Sequence, residues 1–295
     1  MMELGELLRP IVNVLVMEVL SGTWLRADAT GMPVLDRSRT KGKAHHGHFW
    51  AYGNHDSVVF AYTSNKEATT VAALFEGFQG TVVIDGATDF NLLEKAEAVT
   101  RAGCWAHARR YFYEAIKTDS ARATTALTTI RLLFMAERTV MSAEVDRRLE
   151  IRKELCRPIV DGFKRWVEEE LPKVVPRDPI HKALSYVRNQ WDRLVVFLDV
   201  PTIPCHNNDT ERDLRRPVKG KHNYTFAGSP RGARAATTYY TLFGTCLMQG
   251  LDPERYLVEI LGRLDERPSA LTPQAIREQW LPAAATHVPA TDSGT

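Results

Sequence analysis

Three acids in the chain stand where a secondary-structure element is expected to begin or end. Asp28 closes the run Thr23 to Asp28, Asp85 follows Thr81-Val82-Val83-Ile84, and Glu211 lies in Asn207-Asn208-Asp209-Thr210-Glu211-Arg212. Carboxylates are hard oxygen ligands and suit Mg²⁺ or Mn²⁺ rather than zinc. Two such ions, ~3.5–4 Å apart, can deprotonate a water or a 3′-hydroxyl and steady the leaving oxygen of a phosphodiester. An Asp before Gly, as in Asp85-Gly86, is also a common turn residue, so spacing alone leaves that reading open.

Around Glu211 the charge is mostly positive. Arg212, Arg215, Arg216, Lys219, Lys221, Arg231 and Arg234 face only Asp213, with Tyr224 and Phe226 between them. Such a strip is the footprint of a surface that meets phosphate. An ordinary Glu211–Arg215 helical pair on a solvated face, contributing ~0.2–0.5 kcal/mol, is the plain alternative.

The elements that must position these acids can be read in order. Leu4 to Leu20 reads as an amphipathic helix: Glu3 and Glu6 replace a basic leader, and Asn13 and Glu18 interrupt the apolar run. Thr23 to Asp28 is expected to be a strand, stopped by a turn at Thr30-Gly31-Met32-Pro33. His48 to Tyr52 and Ser57 to Thr63, separated by Gly53-Asn54-His55-Asp56, form a hairpin signal. A helix opens at Asn65-Lys66-Glu67-Ala68. Thr81 to Ile84 reads as a buried central strand. A short helix from Phe90 to Ala96, a strand from Val99 to Cys104 and a helix from Trp105 follow.

That order predicts an α/β fold: a ribonuclease-H-like mixed sheet with flanking helices, on which adjacent strands carry Asp28 and Asp85 side by side. An all-helical insertion follows the fifth strand, and C-terminal helices close the chain. Within the insertion, helical patterns run from Ala126 to Met141, from Ala143 to Leu171 with a break near Pro158, and from Pro179 to Leu198. The Asn207 helix, expected to stop at Pro217, then supplies Glu211. Ala235 to Gln249 and Pro253 to Leu264 are the last helices. The expected divisions are an N-terminal helix (1–22), the first part of the core (23–118), the insertion (119–200), completion of the core with C-terminal helices (201–265), and a partly disordered tail (266–295).

Composition bounds the rest. The chain has 295 residues, 44% hydrophobic and 25% charged, enough for a sizeable core. Net charge is only +2, so attraction to an acidic partner must be local. Four dispersed cysteines without a Cys-x-x-Cys pair point to a reduced, cytoplasmic setting, and no stretch reads as a membrane span. Gly-rich phosphate loops, Gly-x-Ser-x-Gly and His-Glu-x-x-His are missing, which leaves nucleotide hydrolase and metalloprotease readings unsupported. Cys104-x-x-His107 with Cys205-His206 is a weak zinc pattern, and Cys104 and Trp105 read better as core residues. His45, His46 and His48 sit in a segment expected to be a basic loop with Lys41 and Lys43. Trp166 and Trp191 read as packing of the insertion.

Several blocks together carry a resemblance. Leu25-Arg26-Ala27-Asp28 with Pro33-Val34-Leu35, then Asp85-Gly86, then Gly103-Cys104-Trp105-Ala106-His107-Ala108-Arg109-Arg110, then Asn207-Asn208-x-x-Glu211-Arg212-x-Leu214-Arg215, and Phe226-Ala227-Gly228-Ser229 occur in the order typical of the insertion-sequence sixty-six family of DDE transposases. The chain resembles that family from about Trp24 to Leu264.

The resemblance implies a metal-dependent catalytic core that cleaves DNA at element ends and joins the freed 3′ ends to a target. Asp28, Asp85 and Glu211 would be the catalytic acids holding two Mg²⁺ or Mn²⁺ ions. His107, Arg109, Arg110, Arg212, Arg215, Lys219, Lys221, His222, Tyr224 and Arg234 would contact DNA. The implied partners are element ends and target DNA, further copies of the chain assembled on DNA, and accessory proteins of the same element; no membrane is involved.

Departures from the family pattern are Ala29 after the first acid where Glu is usual, Arg216 where Pro is common, and His222 where Lys is common. Family members usually carry a long N-terminal DNA-recognition part, and this chain is expected to be a core without it. Two other functions keep the same residues: an inactive DNA-binding remnant, and a structure-selective nuclease on the same fold.

Overall fold

The computed structural model describes residues 1–36, 38, 44–86, 90 and 98–280. Two helices, α1 (Met2–Leu7) and α2 (Arg9–Leu20), replace the single helix expected at the start. Three antiparallel strands follow: β1 (Trp24–Leu35), β2 (Ala44–Gly53) and β3 (Val58–Thr63). Then come α3 (Ala68–Leu74), β4 (Gly80–Val83) and β5 (Val99–Ala102). The strands form one mixed sheet in the order β3-β2-β1-β4-β5, with β4 and β5 parallel to β1 and to each other. The sheet's central strand is therefore β1, and β4 is its neighbour. The helix expected at Phe90 to Ala96 falls almost wholly outside the described residues.

Strand β1 runs straight through the turn expected at Thr30 to Pro33, pairing with β2 as far as Leu35↔Ala44. The physical reason lies in its neighbours. The ladder with β4 ends at Arg26↔Val83, so the second half of β1 has only β2 on one flank. That half behaves as an edge strand, where Gly31 and Pro33 are tolerated. Its free flank is capped by Ala227, whose N–H donates to the Pro33 carbonyl at 2.9 Å while Leu35 N–H donates to the Ala227 carbonyl at 2.8 Å. The histidines expected in a loop are likewise in a strand: His45, His46 and His48 lie on β2, and His45 Nε2 is 3.0 Å from the Tyr62 hydroxyl.

Gly80 fixes how β4 meets β1. Its φ is +145°, and a Cβ there would lie 2.1 Å from the Thr23 carbonyl oxygen. Only glycine permits that approach, which lets Thr81 N–H reach the same oxygen at 3.0 Å and sets the register.

After β5 the chain is helical. α4 (Trp105–Ala115) and α5 (Ser120–Met141) lead into α6 (Arg148–Ile151), a π-helical turn at Arg152–Cys156, and α7 (Arg157–Glu170). The break expected near Pro158 is thus this wider turn just before it, consistent with the proline's clash with the preceding turn. α8 (Pro179–Asn189) and α9 (Trp191–Leu194) complete the insertion. α10 (Asn208–Tyr224), α11 (Pro230–Met248), α12 (Pro253–Leu261) and α13 (Pro273–Trp280) follow.

α10 continues past Pro217 for two more turns, contrary to the expected stop. The lost N–H costs an isolated helix about 3 kcal/mol. Here Leu214 and Pro217 are buried, and Lys221 Nζ donates to the Gly31 carbonyl at 3.2 Å, so packing on the sheet carries the helix through. It ends at Thr225, whose φ of +61° is outside helical space.

Two apolar clusters sandwich the sheet. One joins α4, α5, α7 and α8 around Trp105, Phe112 and Phe163; the other joins α2, α11 and α12 to Leu25, Trp50 and Val82. Among the described residues no helix is long and apolar enough to cross a membrane.

Candidate active site

Extending the β1–β4 register two residues past Arg26↔Val83 places Asp28 opposite Asp85 at the point where the strands part. Asp28 is therefore mid-strand, with Ala51 of β2 on its other flank, rather than at a strand end. Along β1, residues alternate faces. Leu25 and Ala27 enter the core beneath α2, while Arg26 and Asp28 look toward α10.

The helix carrying Glu211 is tied to this strand by buried polar bonds. Asn207 Nδ2 donates to the Ala27 carbonyl at 2.9 Å, and its backbone N–H donates to Cys104 Sγ at 3.2 Å. Thr210 Oγ1 donates to Asn207 Oδ1. One turn on, Arg26, only 3% exposed, meets Asp213, 4% exposed, at 3.1 Å. Arg26 also donates to the Asn54 carbonyl in the hairpin. No local signal in the sequence announces Arg26, Asn207 or Asp213 as ties, because Asn207 reaches Ala27 across 180 positions and Arg26 reaches Asp213 across 187.

The electrostatics at Asp28 carry contributions from the other two acids. Burial chiefly pushes its carboxyl up to about 6; the negative charges of Asp85 and Glu211 add to the rise, against a backbone hydrogen bond from Ala29 and the charge of Lys66. Ala29 N–H donates to Oδ1 at 2.7 Å. Three acids from three distant segments thus share one field.

His107 stands against this group instead of on a DNA-facing surface. It is 6% exposed, and its Nε2 lies 3.6 Å from Glu211 Oε1. Its Nδ1 has no partner among the described residues. Burial holds the imidazole below its usual range despite the opposing pull of Asp85 and Glu211. Trp105, Ala108, Phe112 and Ala115 recur at helical spacing as the core stripe of α4, and His107, off that stripe, is buried on the flank that faces Glu211. The helical insertion reaches the site as well: a Cβ on Gly86 would lie 3.2 Å from the Tyr186 ring.

The expected DNA contacts are distributed over two helices and a turn. Arg109 and Arg110 are exposed on α4. On α10, Arg215, Lys219 and His222 are exposed, Lys221 is half-buried, and exposed Arg212 pairs with Asp209 at 2.9 Å. Glu211, Arg215, Val218 and His222 recur at helical spacing and share one stripe. Exposed Tyr224 places its hydroxyl 3.1 Å from that of Tyr240. Arg234 is exposed on α11, a helix away from the acids. A polar cleft of about 350 Å³, lined by Arg26, Arg212, Asp213 and Arg216, lies beside α10 and does not include the acids.

The donor chemistry of Asp28, Asp85 and Glu211 fits a hard divalent cation, and their mutual repulsion at a buried carboxyl is what such a cation would relieve. Among the described residues, however, no three His, Cys, Asp or Glu side chains form a ready metal-holding group. Cys104 and Cys205 are buried free thiols, and burial pushes Cys104 up to about 11.

A family model described as "Transposase IS66 family" matches residues 1–235. Among curated proteins, the chain is similar to two described as "Uncharacterized protein y4hP" and "Uncharacterized protein y4qI", both from Sinorhizobium fredii (strain NBRC 101917 / NGR234). The first is 26% identical over 307 residues, covering 95% of this chain and 55% of the relative. The second is 32% identical over 279 residues, covering 88% and 51%. The chain spans about half the length of the curated relatives it matches. No solved structure matches it significantly.

Proposed function

Because the chain belongs to the IS66 transposase family, we propose that it is the strand-cleaving and strand-joining core of a DNA transposase, with Asp28, Asp85 and Glu211 as its catalytic acids. The observation that carries this reading is the shared field at Asp28, where acids 57 and 183 positions apart in sequence from it act on one carboxyl. We read the sheet as ribonuclease-H-like; the support is its order, three antiparallel strands flanked on one side by two parallel ones.

Asp28, Asp85 and Glu211 would hold two Mg²⁺ or Mn²⁺ ions. Such ions, when bound, supply Lewis-acid activation of a water or 3′-hydroxyl and charge stabilisation at the leaving oxygen. The chain's own residues do the rest. Asn207 and the Arg26–Asp213 pair hold Glu211's helix against Asp28's strand. His107 closes the inner wall, and Arg215, Lys219 and His222 line the outer face with donors for backbone phosphates. DNA ends and target DNA are the proposed partners, with further copies of the chain and accessory proteins completing the assembly.

The test is supercoiled plasmid with Mn²⁺, comparing the chain with Glu211→Gln. Nicking by the former alone supports the reading; equal nicking by both removes Glu211 from it. A second reading is a chain that holds DNA without cutting it. Salt-dependent binding with no nicking would select it. Cutting of branched DNA without end joining would instead select a nuclease.

A further inference from the structure

A second basic cleft lies away from the acids, where α1 and α2 pack on the start of α11. It encloses about 380 Å³ and is lined by Gly5, Glu6, Arg9, Arg231, Arg234 and Ala235. Gly5 makes it possible: a Cβ there would sit 2.9 Å from that of Ala235, so the two helices approach closely only with glycine. That approach brings Arg9 to α11, where its guanidinium donates to the Arg234 carbonyl at 3.0 Å.

Charge in the cleft is unbalanced. Glu6 is consumed by Arg231, which grips both its oxygens at 2.5 and 2.7 Å. Neither Arg9 nor Arg234 has a carboxylate ion-pair partner among the described residues. Burial and the neighbouring Arg234 charge hold Arg9 below the usual guanidinium range, with Glu6 a weaker counterweight. Two like charges held together around an open space are what a bound anion would neutralise. Guanidinium forks match the oxygens of a phosphate group better than a point anion.

From this we propose that the Arg9–Arg234 cleft is a phosphate-binding site, and that the phosphate belongs to the backbone of duplex DNA lying beyond the acids. The choice of DNA as the source rests on the proposed function; the phosphate chemistry does not. In sequence, the exposed Arg215, Lys219 and His222 of α10 are followed by the turn 225–229 and then by Arg231 and Arg234 at the start of α11, and α10 packs against α11.

The test uses the whole chain. Arg9→Gln, Arg234→Gln and the double variant are compared with Arg277→Gln, an exposed arginine on α13, for duplex binding across a salt series. The expected result is several-fold weaker binding, with the slope of log affinity against log salt reduced by about 1 in the double variant and unchanged in Arg277→Gln. In parallel, the unsubstituted chain is labelled with phenylglyoxal, and arginine modification is read by peptide mass.

Protection of Arg9 and Arg234 by duplex DNA assigns the phosphate to a nucleic-acid backbone. Protection by inorganic phosphate with none from DNA keeps the phosphate site and overturns DNA as its source. Protection by neither overturns the proposal. The plasmid assay separates this outcome from the catalytic one: if the chain never nicks DNA yet Arg9 and Arg234 are protected, only the catalytic reading fails.

Discussion

Asn207 Nδ2 reaches 2.9 Å to the carbonyl oxygen of Ala27, across 180 positions of sequence, and so fixes the helix bearing Glu211 to the strand bearing Asp28. Both groups are fully or nearly fully buried, so the bond has no water to replace it. Asn207→Ala strands the Ala27 carbonyl and should cost about 1–3 kcal/mol in urea unfolding. A change below about 0.5 kcal/mol, which is typical of surface sites, would show that the helix is held by other contacts.

Asp28 gives a pH signature of its own. Its folded-state carboxyl titrates near 6 against an ordinary 3.8, so the folded chain prefers the protonated acid. Ionising it costs nothing below about pH 3.8; the cost grows between 3.8 and 6 and is complete above 6. Asp28→Asn removes that cost. The variant should match the parent near pH 3.8 and exceed it above pH 6 by at most about 3 kcal/mol, at about 1.4 kcal/mol per pH unit. Chemical denaturation at several pH values checks this, and a constant difference across the range would contradict it.

The Arg26–Asp213 pair joins β1 to α10 one turn further along, and both partners are almost completely buried. Asp213→Ala should destabilise by about 3–5 kcal/mol, because Arg26 is left as an uncompensated buried charge. Arg26→Met with Asp213→Leu should recover most of the loss. If the single and double variants are equally unstable in thermal unfolding, the pair's charges are not what holds the helix.

Arg152 does a comparable job for the insertion. Fully buried, it pairs with Glu137 and donates to the carbonyls of Phe197, Val200 and Ile203, the stretch that leads into Asn207. Arg152→Ala should cost about 3–5 kcal/mol and leave Glu137 unpaired. Hydrogen exchange should then rise first in the amides of 197–207. Uniform loss of protection across the chain would show that the connector has no separate dependence on Arg152.

These ties explain how far the sequence could be read. The hairpin at Gly53 to Asp56, the apolar run before Asp85 and the helix with Glu211 were legible, because each rests on local pattern. β1 is longer than its local pattern suggests, since Gly31 and Pro33 look like a turn until the missing neighbour on that flank is known. α10 also outruns its local pattern, because Pro217's cost is met by packing on a sheet remote in sequence. His107 looks like a surface contact because it lies off the apolar stripe Trp105, Ala108, Phe112 and Ala115; its burial comes from a neighbour remote in sequence, Glu211. Arg9 carried no signal at all, since only the approach of Gly5 to Ala235 makes it part of a basic cleft.

The central claim is that Asp28, Asp85 and Glu211 act as one divalent-cation site. Its most direct test is anomalous diffraction from crystals of the chain soaked in Mn²⁺, at a pH above 6 so that Asp28 is ionised. The account predicts a manganese peak among Asp28, Asp85 and Glu211 that is lost in Asp28→Asn. A structure in which manganese is absent there, or bound without contact to Asp28, would contradict it.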